Sequence, residues 1–224
     1  MHLNIAISRY NEEKILAISV ANFFNFFKKN YIFLLILLLA ILLRVFVLAN
    51  QPLMSDEASV GYEAYSLSET GQDRFGNSWP IHFYNFGWGE NITLSYLLIP
   101  FVRLLGLNTI VIRLPILLAN LAAIVVAYLL AKELFNKKIA LTATFLLAVS
   151  PWHIFVSSAA LNACLLPFFY TLTVYFLIKF LKEKKFYYLI ISSISSAVTF
   201  YAYALSFLWI PIIYALLFLI YYQK

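Results

Sequence analysis

The sequence predicts an all-α polytopic membrane protein, and three observations support this fold class. Hydrophobic residues make up 63% of the 224 residues and charged residues 12%, against about half and about a quarter in soluble domains. The mean hydropathy is +0.86. Several apolar runs approach the roughly 20 residues that a helix needs to cross about 30 Å of hydrocarbon. Together these values exclude a soluble globular domain.

The apolar runs predict six membrane spans. They lie near residues 31–49, 109–131, 139–156, 163–181, 186–203 and 204–222. The run 91–106 is too short for a span and contains Arg103, which favours a re-entrant or surface-lying helix. We therefore expect an N-terminal segment 1–30, a membrane domain 31–224 and, within that domain, a large loop 50–108. Segment 1–30 fits either an interfacial helix or a disordered tail.

The charges predict how these spans are oriented, because cytoplasmic loops collect Lys and Arg. Twelve of the sixteen basic residues fall before the first span, in 132–138, in 179–185 or at Lys224, whereas 50–90 has six acids and one Arg. This pattern predicts a plasma-membrane protein with a cytoplasmic N-terminus and an external loop 50–108. Basic residues scattered through short loops also argue against nucleic-acid binding. The single cysteine excludes an internal disulfide and a thiolate metal cluster.

Loop 50–108 begins with two adjacent acids that have two interpretations. Ser55 is a suitable N-cap, and Asp56 and Glu57 would lie in the first helical turn, where the helix dipole favours acids. Capping alone explains such a pair. The acids also lie just beyond a span, where a lipid-borne substrate presents its head group, so a catalytic role stays open. Farther along this helix we expect Tyr62 and Tyr65 to anchor at the membrane interface and Glu63 to lie on the opposite face.

Other polar and aromatic residues of the outer surface also allow two roles. The aromatic residues of 71–89 fit an interfacial belt better than a sugar site. His82 and His153 could bind a metal with an acid such as Glu90, but no metal-ligand spacing links them, and interfacial histidines are favoured. Arg113 fits a phosphate partner or a snorkelling cation. We expect Arg44 and Arg103 to snorkel.

Several motifs occur in a familiar order. They are Ser55-Asp56-Glu57-Ala58, the run 61–66, a Gly-Glu pair at 89–90, the run 105–108, Arg113-Leu114-Pro115, the run 132–135 and Ser150-Pro151-Trp152-His153. Over roughly 31–181 the chain resembles bacterial membrane glycosyltransferases of the dolichyl-phosphate-mannose protein mannosyltransferase type, whose relatives include aminoarabinose transferases acting on lipid A. The resemblance implies a GT-C helical bundle. It also implies inverting transfer of a sugar from a polyprenyl-phosphate carrier to an acceptor on the outer face.

The resemblance assigns expected roles to the acids. It implies that Asp56 acts as general base or orients the acceptor, with Glu57 its neighbour, and that Glu90 helps to hold a divalent metal or the donor. An inverting transfer needs a carboxylate for the acceptor proton and a cation or metal for the departing phosphate. No nucleotide cofactor is expected, because the donor arrives through the bilayer. The resemblance leaves the sugar and the acceptor open.

Some positions depart from the pattern of the family. Asn91 stands where relatives often have a Lys, Asn162 where many have an acid, and Ser158 where an Arg is common. Asn91, Asn162 and Arg113 are the expected donor- or acceptor-binding residues beside Glu90. Family members are usually longer, so we expect the chain to be an N-terminal piece.

Two other classes of function stay open. A transporter of lipid-linked substrates is disfavoured, because no internal repeat is found and Arg44 alone lies inside a long span. A non-catalytic or truncated membrane subunit is the second alternative, because an amide at Asn162 cannot act as a base.

Overall fold

The computed structural model describes residues 28–85 and 87–222, and most of the predicted segment 1–30 lies outside them. The described helices are α1 Lys28–Asn50, α2 Ser55–Thr70, α3 Thr93–Leu105, α4 Thr109–Leu134, α5 Lys137–Val149, α6 Pro151–Val156, α7 Leu166–Glu183, α8 Phe186–Ala202 and α9 Ser206–Tyr222. A 3₁₀ turn, Asn162–Leu165, precedes α7. Strands β1 Phe83–Asn85 and β2 Trp88–Glu90 form an antiparallel hairpin between α2 and α3. The chain is an all-α membrane protein, as the sequence predicts.

Within residues 28–85 and 87–222, three helical segments are long and apolar enough to cross a membrane: α1, α4 and the segment Asn162–Glu183. They coincide with the first, second and fourth predicted spans. Helices α8 and α9 occupy the fifth and sixth predicted positions and have 17 residues each, which is at the lower limit of about 17 residues for a span. Their crossing of the membrane stays a prediction.

The third predicted span, 139–156, is not one helix. It is divided into α5 and α6 at Ser150, whose extended backbone (φ −62°, ψ 119°) ends α5. Ser150 then caps α6 by accepting from His153 N at 3.4 Å, and Pro151 begins that helix, where a missing N–H costs nothing. The prediction of a continuous span was wrong because apolar residues continue through the break.

Helix α2 begins one residue earlier than the predicted cap. Met54 is the N-cap, in extended backbone, and Ser55 is the first helical residue. Ser55 Oγ contacts Asp56 Oδ1 at 3.3 Å, and Glu57 Oε2 accepts a hydrogen bond from Met54 N at 2.9 Å. The prediction of Ser55 as the cap was wrong because Glu57 reaches back to satisfy the first free amide of the helix.

Helix α2 packs against the helical bundle through the face that carries Glu63. Its buried apolar residues join a cluster with α3, α4 and the segment after α6. Glu63, expected on the face opposite Tyr62 and Tyr65, is 1% exposed, whereas Tyr62 and Tyr65 are exposed as predicted for interfacial residues. Glu63 is buried because Arg74 folds back over α2 and pairs with its carboxylate. Arg74 Nη2 also donates to Ser59 O at 3.0 Å.

The basic segments meet at the opposite end of the bundle from α2. Lys182 Nζ binds Glu133 Oε1 at 3.0 Å, which joins the end of α7 to the end of α4. Lys137 Nζ donates to Lys29 O at 2.6 Å, which joins the start of α5 to the start of α1. The described parts of the segments that the charge count assigned to one side, 28–29, 132–138 and 179–185, therefore lie at one end. The side of the membrane that this end faces stays a prediction.

Candidate active site at the start of α2

The start of α2 is held by an ion pair without solvent exposure. Arg113 Nη2 lies 2.6 Å from Glu57 Oε2, and Arg113 Nε lies 2.8 Å from Glu57 Oε1, so the guanidinium binds the carboxylate with two parallel bonds. Both side chains are 0% exposed. Two-point geometry with full burial is the arrangement in which an Arg–carboxylate pair is strongest.

Arg113 uses all five of its N–H donors in this structure. Besides its two bonds to Glu57, Nη1 donates to Leu48 O at 3.2 Å and Gln51 O at 2.8 Å, and Nη2 donates to Pro52 O at 2.8 Å. The predicted snorkelling of Arg113 was wrong, because its side chain is fully enclosed. In this arrangement no donor remains for a phosphate, so the guanidinium fastens the end of α1 and the start of α2.

Glu57 is equally engaged. In addition to Arg113 and Met54 N, it accepts from Ala160 N at 2.8 Å through Oε1. Burial alone raises a carboxyl pKa, but the bonds from Arg113, Met54 N and Ala160 N hold the pKa of Glu57 below its usual 4.5. Glu57 is therefore a structural carboxylate in this arrangement. Neither of its oxygens has an open acceptor position for the catalytic role that was predicted.

Asp56, the second predicted acid, has the opposite environment. It is exposed, and the hydrogen bond described for its carboxylate comes from the neighbouring Ser55 hydroxyl. Successive side chains on a helix are turned by about 100°. Burial of Glu57 therefore turns Asp56 away from the bundle, at a fixed position on its surface.

Asn162 and Asn91, both predicted to bind donor or acceptor, contact each other. Asn162 Nδ2 donates to Asn91 O at 3.0 Å, and Asn162 Oδ1 accepts from Leu94 N at 3.0 Å. Leu94 N belongs to the first turn of α3, whose N-cap Ile92 provides no side-chain acceptor. Asn162 is thus a cap supplied from a distant segment, and both ends of its amide are occupied.

Segment 157–162 connects these parts. Ala160 N donates to Glu57, the residue after Asp56. Two residues later, Asn162 donates to the backbone of Asn91, the residue after Glu90. Ser158 Oγ donates to Gln51 Oε1 at 2.8 Å, so the end of α1 is bound to the same segment. Glu90 is half-buried at the end of β2. The structure therefore gathers the predicted site residues Asp56, Glu57, Glu90, Asn91, Arg113 and Asn162 around one segment.

The predicted divalent metal at Glu90 stays a prediction. Across residues 28–85 and 87–222, no three His, Cys, Asp or Glu side chains form a group that could hold a metal ion. His82 is exposed with its ring 5.3 Å from that of Tyr84, whereas His153 is buried and its Nδ1 contacts Arg44. No mechanistic step here uses a metal.

A second buried cluster lies under segment 157–162 and was missed from the sequence. Arg44 is 0% exposed, so its predicted snorkelling was wrong. Its Nη2 lies 2.8 Å from His153 Nδ1 and its Nε donates to Ser157 Oγ at 3.1 Å. Its Nη1 donates to Ala148 O at 2.9 Å, one of the carbonyls left free where α5 ends. The sequence signal that could have revealed this cluster is Pro151, because a helix break there leaves free carbonyls that need donors.

The fold and the site define a polytopic helical membrane protein with an acid-bearing layer at one end. A family model described as dolichyl-phosphate-mannose-protein mannosyltransferase matches residues 91–223. The chain belongs to this family, so its class is that of membrane glycosyltransferases of the GT-C type. No curated protein and no solved structure matches the chain.

The match covers a different range from the resemblance found in the sequence. It begins at Asn91 and continues to residue 223, whereas Asp56, Glu57 and Glu90 precede it. The ion pair of Glu57 with Arg113 and its bond from Ala160 N connect the preceding acids to the matched part of the chain.

Proposed function

We propose that this protein takes part in transferring a sugar, a hexose or a pentose, from a polyprenyl-phosphate carrier to an acceptor at the outer face of the plasma membrane, with inversion. The observation that carries the proposal is the contrast between two adjacent acids. Asp56 is exposed, whereas Glu57 is fully buried and held by Arg113 and Ala160, two residues of the family-matched region.

In this mechanism Asp56 is the general base. The acceptor hydroxyl attacks the anomeric carbon from the side opposite the phosphate, and Asp56 takes the hydroxyl proton as the new bond forms. The bond between the anomeric carbon and the phosphate oxygen breaks, and polyprenyl phosphate leaves with the electron pair. Glu57 and Arg113 are positioning residues, because they fix the helix turn from which Asp56 projects.

We infer the outward position of Asp56 from the distribution of basic residues. The end of the bundle with Lys137 and Lys182 would face the cytoplasm by the positive-inside rule, which puts Asp56 outside. Lipid-linked sugars present their phosphate and sugar at such a surface. No nucleotide is needed for a donor of this kind.

The test is sugar transfer in proteoliposomes that contain the complete protein and a labelled polyprenyl-phosphate sugar. We expect Asp56→Asn to lower turnover by about 10²- to 10⁴-fold, the usual contribution of general-base catalysis. Glu69→Gln is the matched control, since Glu69 is an exposed acid near the other end of α2. Unchanged turnover in Asp56→Asn would contradict the role of Asp56 as general base.

Positioning by Glu57 is tested separately. Glu57→Gln keeps the shape of the side chain but weakens its bonds to Arg113, so that α2 holds Asp56 less firmly. For the folded fraction of this variant we expect kcat to fall while KM for the lipid donor stays nearly constant. A change confined to the amount of folded protein would mean that Glu57 acts on stability alone.

A further inference from the structure

Arg74 lies against the face of α2 that carries Asp56. Its Nη2 donates to Ser59 Oγ at 2.6 Å and to Ser59 O at 3.0 Å. Ser59 comes three residues after Asp56 in α2, so the two residues occupy adjacent turns of one helix face, with roughly 5–6 Å between their Cβ atoms. The guanidinium of Arg74 is therefore held one helical turn from the general base of the proposed mechanism.

The position of this guanidinium is fixed on several sides. Arg74 Nε donates to the buried carboxylate of Glu63, and Glu63 Oε2 accepts from Arg74 N at 3.1 Å. The Arg74 Cζ atom lies 5.7 Å from the centroid of the Tyr62 ring, within the range of a cation–π contact. Asp73 Oδ1 accepts from Asn77 N at 2.8 Å and holds the turn next to Arg74. These contacts make Arg74 an ordered cation on α2.

One nitrogen of this guanidinium keeps its donors. The hydrogen bonds of Arg74 use the backbone N, Nε and Nη2, and Nη1 has no partner among residues 28–85 and 87–222. The Arg74 side chain is 23% exposed, whereas that of Arg113 is 0% exposed. Arg113 and Arg44 use all their N–H donors inside the protein. Of these three arginines, Arg74 alone has donors left for a ligand.

The charge of Arg74 stands out in its part of the chain. Segment 50–90 contains six acids, and Arg74 is its single basic residue. A transfer that uses Asp56 as base also needs a positive group for the charge that develops on the departing phosphate. A guanidinium suits this role, because its charge-assisted hydrogen bonds match the oxygens of a phosphate.

We propose that Arg74 binds the phosphate of the polyprenyl-phosphate donor through Nη1. As the bond between the anomeric carbon and the phosphate oxygen breaks, its electron pair stays on that oxygen, and Arg74 stabilises the negative charge. Asp56 takes the proton of the acceptor hydroxyl. Base and cation then act from one face of α2. This inference rests on the proposed function, since it assigns a residue to the donor proposed there.

The first experiment measures binding without sugar transfer. Native mass spectrometry of the complete protein, released from detergent, compares polyprenyl phosphate with polyprenol of the same chain length. Arg74→Gln should weaken binding of polyprenyl phosphate by about ten- to hundredfold, the effect of one hydrogen bond to a charged group. Binding of polyprenol should not change. Excess phosphatidylglycerol should not displace polyprenyl phosphate, which distinguishes the donor from an ordinary phospholipid head group.

Further variants separate phosphate binding from the structural pairing with Glu63. Arg74→Gln leaves the Glu63 carboxylate buried without its cation, so the double variant with Glu63→Gln removes both charges and should show the same loss of affinity. Glu63→Gln alone keeps Arg74 and should retain most of the affinity. Arg103→Gln is the matched control, because Arg103 is an exposed arginine in the last turn of α3. It should bind like the native chain.

Sugar transfer gives a second measurement. In proteoliposomes, Arg74→Gln should raise KM for the lipid donor and lower kcat, because the phosphate is bound both before and during bond breaking. Arg74→Lys keeps the charge but not the planar group, and should restore part of both values. A purely structural role would lower the amount of folded protein without changing KM.

Four results would overturn the proposal. They are undiminished affinity for polyprenyl phosphate in the double variant, an equal loss in Glu63→Gln, an equal loss in Arg103→Gln, and displacement by phosphatidylglycerol. If the native chain binds polyprenyl phosphate no better than polyprenol, the proposed donor is wrong and the proposed function fails too. A preference for the phosphate that persists without Arg74 would count against this residue alone.

Discussion

Arg113 and Glu57, 56 residues apart in the chain, form a two-point ion pair with distances of 2.8 and 2.6 Å and with neither side chain exposed. Arg113 adds three backbone carbonyls and Glu57 adds two backbone amides. Burying two charges is expensive unless each polar atom finds a partner. Here both groups are fully bonded, so the pair fixes where α2 begins relative to α1, α4 and segment 157–162.

The first prediction concerns this pair. Arg113→Met or Glu57→Met leaves the partner charge buried and should destabilise the protein by about 3–5 kcal/mol. The double variant should cost clearly less than the sum of the two. Thermal unfolding in detergent, followed by circular dichroism, measures the three variants. Glu183→Gln, which breaks surface ion pairs, should leave the melting temperature nearly unchanged. Additive effects of the two Met variants would mean that the residues do not interact.

The second prediction concerns the cap that Asn162 supplies to α3. Asn162→Ala removes the acceptor of Leu94 N and the donor to Asn91 O, and should cost about 1–2 kcal/mol. Hydrogen–deuterium exchange should show faster exchange of the amides at the start of α3. Asn108→Ala removes the cap of α4, which accepts from Val111 N, and should act on that helix instead. Unchanged exchange around Leu94 in Asn162→Ala would contradict the assignment.

The third prediction concerns the close approach of α2 and α4. A Cβ at Gly61 would lie 2.6 Å from Ile112 Cδ1 and 2.9 Å from its Cγ1, and Ile112 is 4% exposed. Overpacking of about 1–3 kcal/mol should exceed the roughly 0.5–1 kcal/mol that Ala gains over Gly in a helix. Gly61→Ala should therefore lower the melting temperature, and adding Ile112→Val should restore part of it. At Gly89 a Cβ meets nothing within 4 Å, so Gly89→Ala is the control. A higher melting temperature for Gly61→Ala would show that α2 and Ile112 have room for the added methyl group.

The fourth prediction concerns acid stability of the loop after α2. Burial favours a raised pKa for Asp73, but bonds from Asn77, Phe75 N and Gly76 N hold its pKa below the usual 3.8. A lowered pKa means that the folded state binds fewer protons, so the stabilisation is complete above pH 3.8 and disappears as the pH falls below it. The melting temperatures of the native chain and Asp73→Asn should therefore differ most near pH 7 and converge in acid.

Asn77→Ala removes one of the bonds to the Asp73 carboxylate and should give a curve between these two. A constant difference between the native chain and Asp73→Asn from pH 7 to pH 3 would exclude the linkage.

The helix positions were predictable because apolar run length is a local property. Helices α1, α4 and α7 therefore occupy their predicted places. The break at Ser150 was not predictable from hydropathy, since Pro151 and Trp152 continue the apolar run. The cap of α2 was missed for a related reason, because Ser55 has the right residue type but Glu57 competes for the same amide.

The partners of the candidate site residues were not predictable from the sequence, and the catalytic and binding roles of these residues stay predictions. Sequence motifs selected Asp56, Glu57, Arg113 and Asn162, and the structure gathers all four. Nothing local to Arg113 indicates that its partner is a carboxylate on another helix, so a phosphate contact fitted equally well. The contact of Arg44 with His153 depends on the packing of α1 against α6, which short-range patterns do not contain.

Segment 157–162 has a mechanical consequence. Ala160 N binds the residue after Asp56, and Asn162 binds the residue after Glu90. The backbone next to each acid is therefore bonded to the same short segment. A tilt of α6 or α7 during a reaction cycle would move both acids together, and their separation would change little. Residues 160–162 thus help to set the spacing of the two acids, together with the packing of α2 on α3, and lengthening that stretch by a single residue would alter the spacing.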